Sequence, residues 1–302
     1  MTDATAYSSG SSLRIRISPQ TRDFLIFSLW VAVTYVQFPN DELLLYPLAG
    51  YYAWAVWRDR NKIFSLLPRS WVLILFPIWS ALSFMWAIDP EAALKQSAYL
   101  ILTIMICFQV AATLEPRRIM HAVLLSTGVI GVINLATILG TGVEIGIFQQ
   151  KNTMGASMVV MWTVSVATVL DRQSPLLLRY TAIVLALIAF YVGAQSGSAT
   201  AVMLILAIGT ITLLATVILS GGLFRPSRLV TACFMIALLS TVALLILPRL
   251  HGDPVTAVLD HFGKDATLTG RTVLWNYAEE QISERPLLGV GSGGFWRYYA
   301  SP

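Results

Sequence analysis

Apolar residues in this chain do not alternate with polar ones. They arrive in long uncharged blocks separated by short charged or Pro/Gly breaks. Nine such blocks can be drawn: 23–38, 43–57, 71–88, 93–114, 119–139, 153–170, 176–194, 200–220 and 229–247. A bilayer core about 30 Å thick calls for roughly 17–25 apolar residues per helix, so most of these blocks predict membrane-spanning helices. The first two are short and are separated by Pro39-Asn40-Asp41-Glu42. Adjacent carboxylates are costly at mid-membrane, which predicts a tight hairpin of two helices there. The fold class that follows is all-α: a polytopic transmembrane helix bundle of about nine spans. After Pro248 the lipid-like pattern gives way to 55 water-compatible residues, read as an extracytoplasmic helical segment.

Composition agrees with the pattern. Hydrophobic residues make up 56% of the 302 positions and charged residues 12%, about half of what a soluble domain carries. Soluble enzymes, nucleic-acid binders and disordered chains are thereby disfavoured. The net charge of +4 is unevenly spread. Arg14, Arg16, Arg22, Arg58, Arg60, Lys62, Arg69, Arg117, Arg118, Arg172, Arg179, Arg225 and Arg228 fall in one alternate set of connections, whereas the short loops of the other set hold only Lys95 and Lys151. The basic set is predicted to be cytoplasmic, so the basic balance is a topology signal and requires no nucleic acid. Three regions result: a cytoplasmic tail (1–22), the bundle (23–247) and a periplasmic segment (248–302). The tail shows no apolar stretch with a small-residue cleavage site.

At bilayer depth ionisable residues are nearly missing, which weighs against an ion-coupled transporter. Lys95 and His121 sit near span ends. Gln109 and Asn134 either bridge neighbouring helices or line a cavity. Cys107 and Cys233 lie in apolar runs without a CxxC partner and read as small hydrophobes. Chemistry is therefore sought at the outer face.

Three outer elements carry suitable side chains. In Gln149-Gln150-Lys151-Asn152-Thr153-Met154-Gly155, Lys151 is either a snorkelling cap or a functional cation, with the Asn152 amide beside it. Gln195-Ser196-Gly197-Ser198-Ala199-Thr200 reads as a turn and helix cap; a serine nucleophile there lacks an acid–base partner nearby in sequence. Residues 270–284 read as an amphipathic helix with an apolar stripe of Val273, Leu274, Tyr277, Ala278 and Ile282. Arg271 falls in its first turn, where the helix dipole disfavours a cation unless an anion docks there; stacking on Trp275 is the alternative. Gly289, Gly291 and Gly294 formally satisfy GxGxxG, but a helix precedes them where a dinucleotide site needs a strand. His121, His251 and His261 are isolated, and no zinc spacing occurs. His251 and His261 read either as exposed polar residues or as a base.

Met85-Trp86-Ala87-Ile88-Asp89-Pro90 with Ala92-Ala93-Leu94, Gln150-Lys151-Asn152 with Gly155, the Ser196–Thr200 turn, and Thr269-Gly270-Arg271, Trp275 and Glu284-Arg285-Pro286-Leu287-Leu288-Gly289-Val290-Gly291 together resemble the O-antigen ligase and polymerase family, which includes exopolysaccharide polymerases. The resemblance implies a multi-pass protein of the bacterial inner membrane. It implies transfer of a glycan from an undecaprenyl-diphosphate-linked oligosaccharide to an acceptor hydroxyl on the periplasmic side, with neither cofactor nor metal. Arg271 would hold the donor diphosphate, assisted by Lys151 and Asn152. The implied partners are the lipid-linked donor, the bilayer and other polysaccharide export or assembly proteins. Many members carry a second arginine after the serine turn; here the region reads Ser198-Ala199-Thr200, which favours a polymerase over a ligase. Members also continue to a His-Asn motif and further helices, whereas this chain ends at Pro302. A shortened product is therefore expected; the alternative is that His261 or another group substitutes as catalytic base. Ligation to lipid A-core and flipping of lipid-linked glycan are the alternative functions.

Overall fold

A computed structural model describes residues 18–36, 42–219 and 271–295. The architecture is all-α, and no strand occurs among the described residues. The helices are α1 (Pro19–Tyr35), α2 (Glu42–Arg58), α3 (Arg60–Ser70), α4 (Val72–Leu82), α5 (Pro90–Thr113), α6 (Pro116–Thr141), α7 (Lys151–Leu170), α8 (Leu176–Gln195), α9 (Ala199–Leu219) and α10 (Arg271–Glu284). A 3₁₀ turn, Ser83–Met85, extends α4. Local signals set many of these ends. The Ser18 hydroxyl caps α1 by accepting from Thr21 N, and Asp89 caps α5 by accepting from Ala92 N; each is followed by proline. Gly142, at φ +71°, ends α6 in a left-handed conformation.

Helices α5 to α8 are each long and apolar enough to cross a membrane. The expected count of nine spans is not confirmed. Helices α1 and α2 form the predicted hairpin, but each has only 17 residues. The block at 71–88 becomes α4 with its 3₁₀ turn, short of a span alone; it adds a fifth crossing only as a pair with α3, from which it bends by 93° at Trp71. Helix α9 is apolar along its 21 residues, and its stretch Ala199–Thr212 counts as a shorter apolar helix. The ninth block, 229–247, lies outside the described residues.

The core centres on α7. Met154, Met158, Met161 and Trp162 are fully buried against Ile130 of α6, Ala186, Ala189 and Val192 of α8, and Ile205 of α9. Small residues let the helices approach: a side chain at Gly131 would strike Met161, and one at Gly193 would lie 2.7 Å from Ile205 Cδ1. Large apolar side chains instead cover the outside, including Leu125, Val129, Val132 and Ile133 on α6 and Leu177, Val184 and Leu187 on α8. Such an apolar exterior is that of a membrane protein. Cys107 is on this exterior of α5. The two polar residues left open by the sequence resolve differently. Asn134 is buried, accepts from Ile147 N (2.8 Å) and reaches Met154 of α7, so it ties α6 to the following loop and helix. Gln109 donates only within α5, to Thr113 Oγ1.

Candidate functional site at the far end of the bundle

The bundle has two polar ends. Arg22, Arg58, Arg117 and Arg179 mark the basic end. Chain direction puts the start of α5, the start of α7 and the α8–α9 turn at the opposite, far end.

Two motifs some two hundred residues apart meet at this far end. After α10 the chain folds into a glycine turn that docks on the corner between α4 and α5. The indole N–H of Trp86 donates to Leu288 O (2.8 Å), and Ile88 N donates to Val290 O (3.2 Å). Ser292 N donates to Ser83 Oγ (3.0 Å). Ser80 Oγ donates to Ser292 Oγ and lies 2.9 Å from Ser97 Oγ, so hydroxyls of α4, α5 and the turn form one buried chain. Gly291 is at φ +85°, and a Cβ there would lie 2.7 Å from Ala87 Cα; only glycine fits both the conformation and the approach. The glycines therefore serve backbone docking, in agreement with rejecting a dinucleotide loop. Asp89 and Pro90 start α5 directly beside this contact.

Helix α10 runs into that anchored turn, with Arg271 at its opposite terminus. Fourteen residues of helix span about 20 Å, so Arg271 stands well away from the anchor. Of the predicted stripe, Leu274, Tyr277 and Ile282 are exposed, whereas Gln281 is buried. Gln281 takes the inward position because the turn beyond Glu284, not the stripe, fastens the helix to the bundle.

Lys151 and Asn152 are exposed in the first turn of α7. The preceding loop is pinned by Asn134, whose side chain occupies the space a Cβ on Gly146 would need. About 6 Å further along α7, Gly155 packs against the serine turn, where a Cβ would meet Ala201 Cβ at 2.7 Å and Ser196 Oγ at 3.3 Å. Ser196 is buried; its hydroxyl donates to Gly193 O (2.6 Å) and accepts from Ser198 N (3.1 Å). Both roles are spent inside the turn, as the capping account requires. His251 and His261 lie outside the described residues. Among the described residues no cluster of three His, Cys, Asp or Glu side chains could hold a metal ion.

Residues 180–302 match the family described as O-antigen ligase. That match covers α8 onward, including α10 and the glycine turn, while the corner on which the turn docks lies earlier in the chain. The chain is also 24% identical over 281 residues to the exopolysaccharide production protein ExoQ of Rhizobium meliloti (strain 1021), covering 90% of this chain and 62% of that protein. The chain thus spans less than two thirds of that relative's length. These two findings support an O-antigen ligase/polymerase-like family of membrane proteins. No solved structure matches the chain.

Sequence reasoning picked out the 85–94 and 284–291 motifs separately and missed that one seats the other. It also missed the buried carboxylate Asp23, placed at the edge of the first block. The signal for Asp23 was Arg58, which a two-helix hairpin must return to the same end.

Proposed function

We propose that the protein is a membrane polysaccharide polymerase that extends a glycan carried on undecaprenyl diphosphate, acting at the periplasmic side of the bacterial inner membrane. An acceptor hydroxyl attacks the anomeric carbon of the donor, the bond to the diphosphate oxygen breaks, and undecaprenyl diphosphate departs. The hydroxyl proton passes to a base, for which His261 is the candidate. Arg271 offers a planar pair of donors to the diphosphate, and the first-turn N–H groups of α10 add to them. Lys151 and Asn152 supply a second cation and an amide donor, and stabilising charge on the leaving group lowers the barrier most where it develops. Residues 1–22, 23–247 and 248–302 then serve as cytoplasmic tail, bundle and periplasmic segment.

The observation that carries this reading is the docking of the glycine turn on the Trp86–Ile88 corner. It gives α10 a fixed footing at the bundle end that also carries Lys151. The exopolysaccharide relative supports polymer formation, whereas the family description favours the second reading, ligation of a finished glycan to a lipid acceptor.

Arg271→Ala, introduced in the natural gene, tests the proposal. High-molecular-weight polymer should fall by about tenfold or more, with Arg271→Lys retaining part of it because it keeps charge without the planar fork. Wild-type chain length and yield in Arg271→Ala would remove the arginine from the mechanism. Accumulated single repeats in the variant indicate polymerisation, and unattached long polymer indicates ligation.

A further inference from the structure

The basic end carries a built polar pocket that the glycan-transfer reading does not use. A cavity of about 520 Å³ opens between the start of α1, the end of α2, the start of α3 and the end of α5. Asp23, only 6% exposed, forms its floor. Tyr51 OH donates to Asp23 Oδ1 (2.6 Å), Arg22 approaches the same oxygen (3.1 Å), and Arg58 Nη2 bonds Oδ2 (3.0 Å). Arg58 also pairs with Asp59, which Lys62 approaches at 3.6 Å. Three cations thus face two carboxylates, leaving a surplus of one positive charge. Arg58 Nη1 is buried and has no hydrogen-bond partner among the described residues. A buried guanidinium N–H without an acceptor is costly, so an acceptor oxygen near the Arg58 guanidinium is favoured.

The surroundings identify what supplies that oxygen. The guanidinium carbons of Arg22 and Arg58 lie 5.3 and 4.8 Å from the Trp54 ring centroid, and that ring is half exposed beside the more exposed Trp57. Helix α3 turns 93° away from α4 and carries Arg60, Lys62 and Arg69 together with the exposed Phe64. Mixed basic and apolar character on a helix that bends sharply away from its neighbour is that of an interfacial helix lying at headgroup depth. We propose that this pocket binds the headgroup of an anionic phospholipid, with the phosphodiester received by the pocket-lining cations Arg22, Arg58 and Lys62. A phosphodiester carries one negative charge and matches the surplus of one; a dianionic phosphate would face Asp23 and Asp59 with an uncompensated charge. The site is independent of the transfer reaction at the far end.

Native mass spectrometry of the detergent-purified protein tests this with three probes: phosphatidylglycerol, phosphatidylcholine and free glycerol phosphate. Phosphatidylglycerol adducts should exceed phosphatidylcholine adducts by about tenfold, and free glycerol phosphate should not compete at equal concentration. Arg58→Lys should lower phosphatidylglycerol retention by about tenfold and Lys62→Gln by about threefold. Arg22→Gln leaves Asp23 paired with Arg58 and Tyr51, so it serves as the binding variant if Arg58→Lys unfolds early in a thermal melt. Equal retention of the two lipids, unchanged retention in the folded variants, or equal binding of free glycerol phosphate would each overturn the proposal.

Discussion

The two ends of this bundle are held by different forces. At the far end, contact between remote segments is made by backbone and hydroxyl hydrogen bonds and by a glycine pressed against Ala87. At the basic end, Asp23 gathers Arg22, Arg58 and Tyr51 into an ion-pair network, and Arg117 binds Asp171. The contrast shows where charge is free to act. The basic end couples Arg22, Arg58, Lys62 and Arg117 to carboxylates and still carries more cations than carboxylates. The far end uses no charge in docking α10, which leaves Lys151 exposed.

Breaking each end should therefore have a different signature. The largest effect is expected for Asp23→Ala, which strips a buried acceptor from two arginines and a tyrosine. Because both arginines are partly exposed, the cost should fall near the low side of the usual range for a broken buried pair, about 3 kcal/mol, read from thermal or denaturant unfolding in detergent. Restoring Arg58→Met in the same background should recover part of that loss; no recovery would mean the network is not electrostatic. Gly291→Ala combines a disfavoured φ with a clash against backbone and should cost about 2 kcal/mol. Its distinguishing readout is local: residues after Arg271 should become protease-sensitive while α5 to α8 stay protected.

These two sites also mark how far the sequence was legible. Blocks 93–114, 119–139, 153–170, 176–194 and 200–220 reappear as α5 to α9 with ends shifted by a few residues, because apolar length and Pro/Gly caps are local signals. The 58–70 connection stands out in the sequence only by its basic residues. It is a helix in which Ile63 is buried and Phe64 exposed, next to the bend at Trp71. Docking of residues 288–292 on 83–88 left no periodic trace, because most of the bonds involve main-chain atoms and the fit depends on side chains that are absent or small. Arg271 was legible by resemblance; what fixes its helix was not.

Two smaller effects sharpen the comparison. Trp86→Phe keeps the ring and removes the indole donor to Leu288 O, so it should cost about 1 kcal/mol and loosen only the glycine turn, measurable by hydrogen exchange there. At the basic end, the hydrogen bond from Arg117, helped by Gln173 N and Ser174, holds the Asp171 carboxyl down to about 2. A depressed carboxylate stabilises the fold above its ordinary range and loses that contribution as pH falls toward the folded value. Wild type and Arg117→Gln should thus differ in melting temperature at pH 6 and converge as pH falls from about 4 toward 2, while Trp86→Phe shows no such convergence.

The account depends most on the glycine turn holding Arg271 on the side of the bilayer opposite the arginine-rich connections. In a Cys107→Ser, Cys233→Ser background, single cysteines at positions 271 and 172 can be treated with a membrane-impermeant maleimide in intact cells. Labelling of position 271 from outside, with position 172 reacting only after permeabilisation, is the predicted result. Labelling of 172 from outside with 271 protected would contradict it.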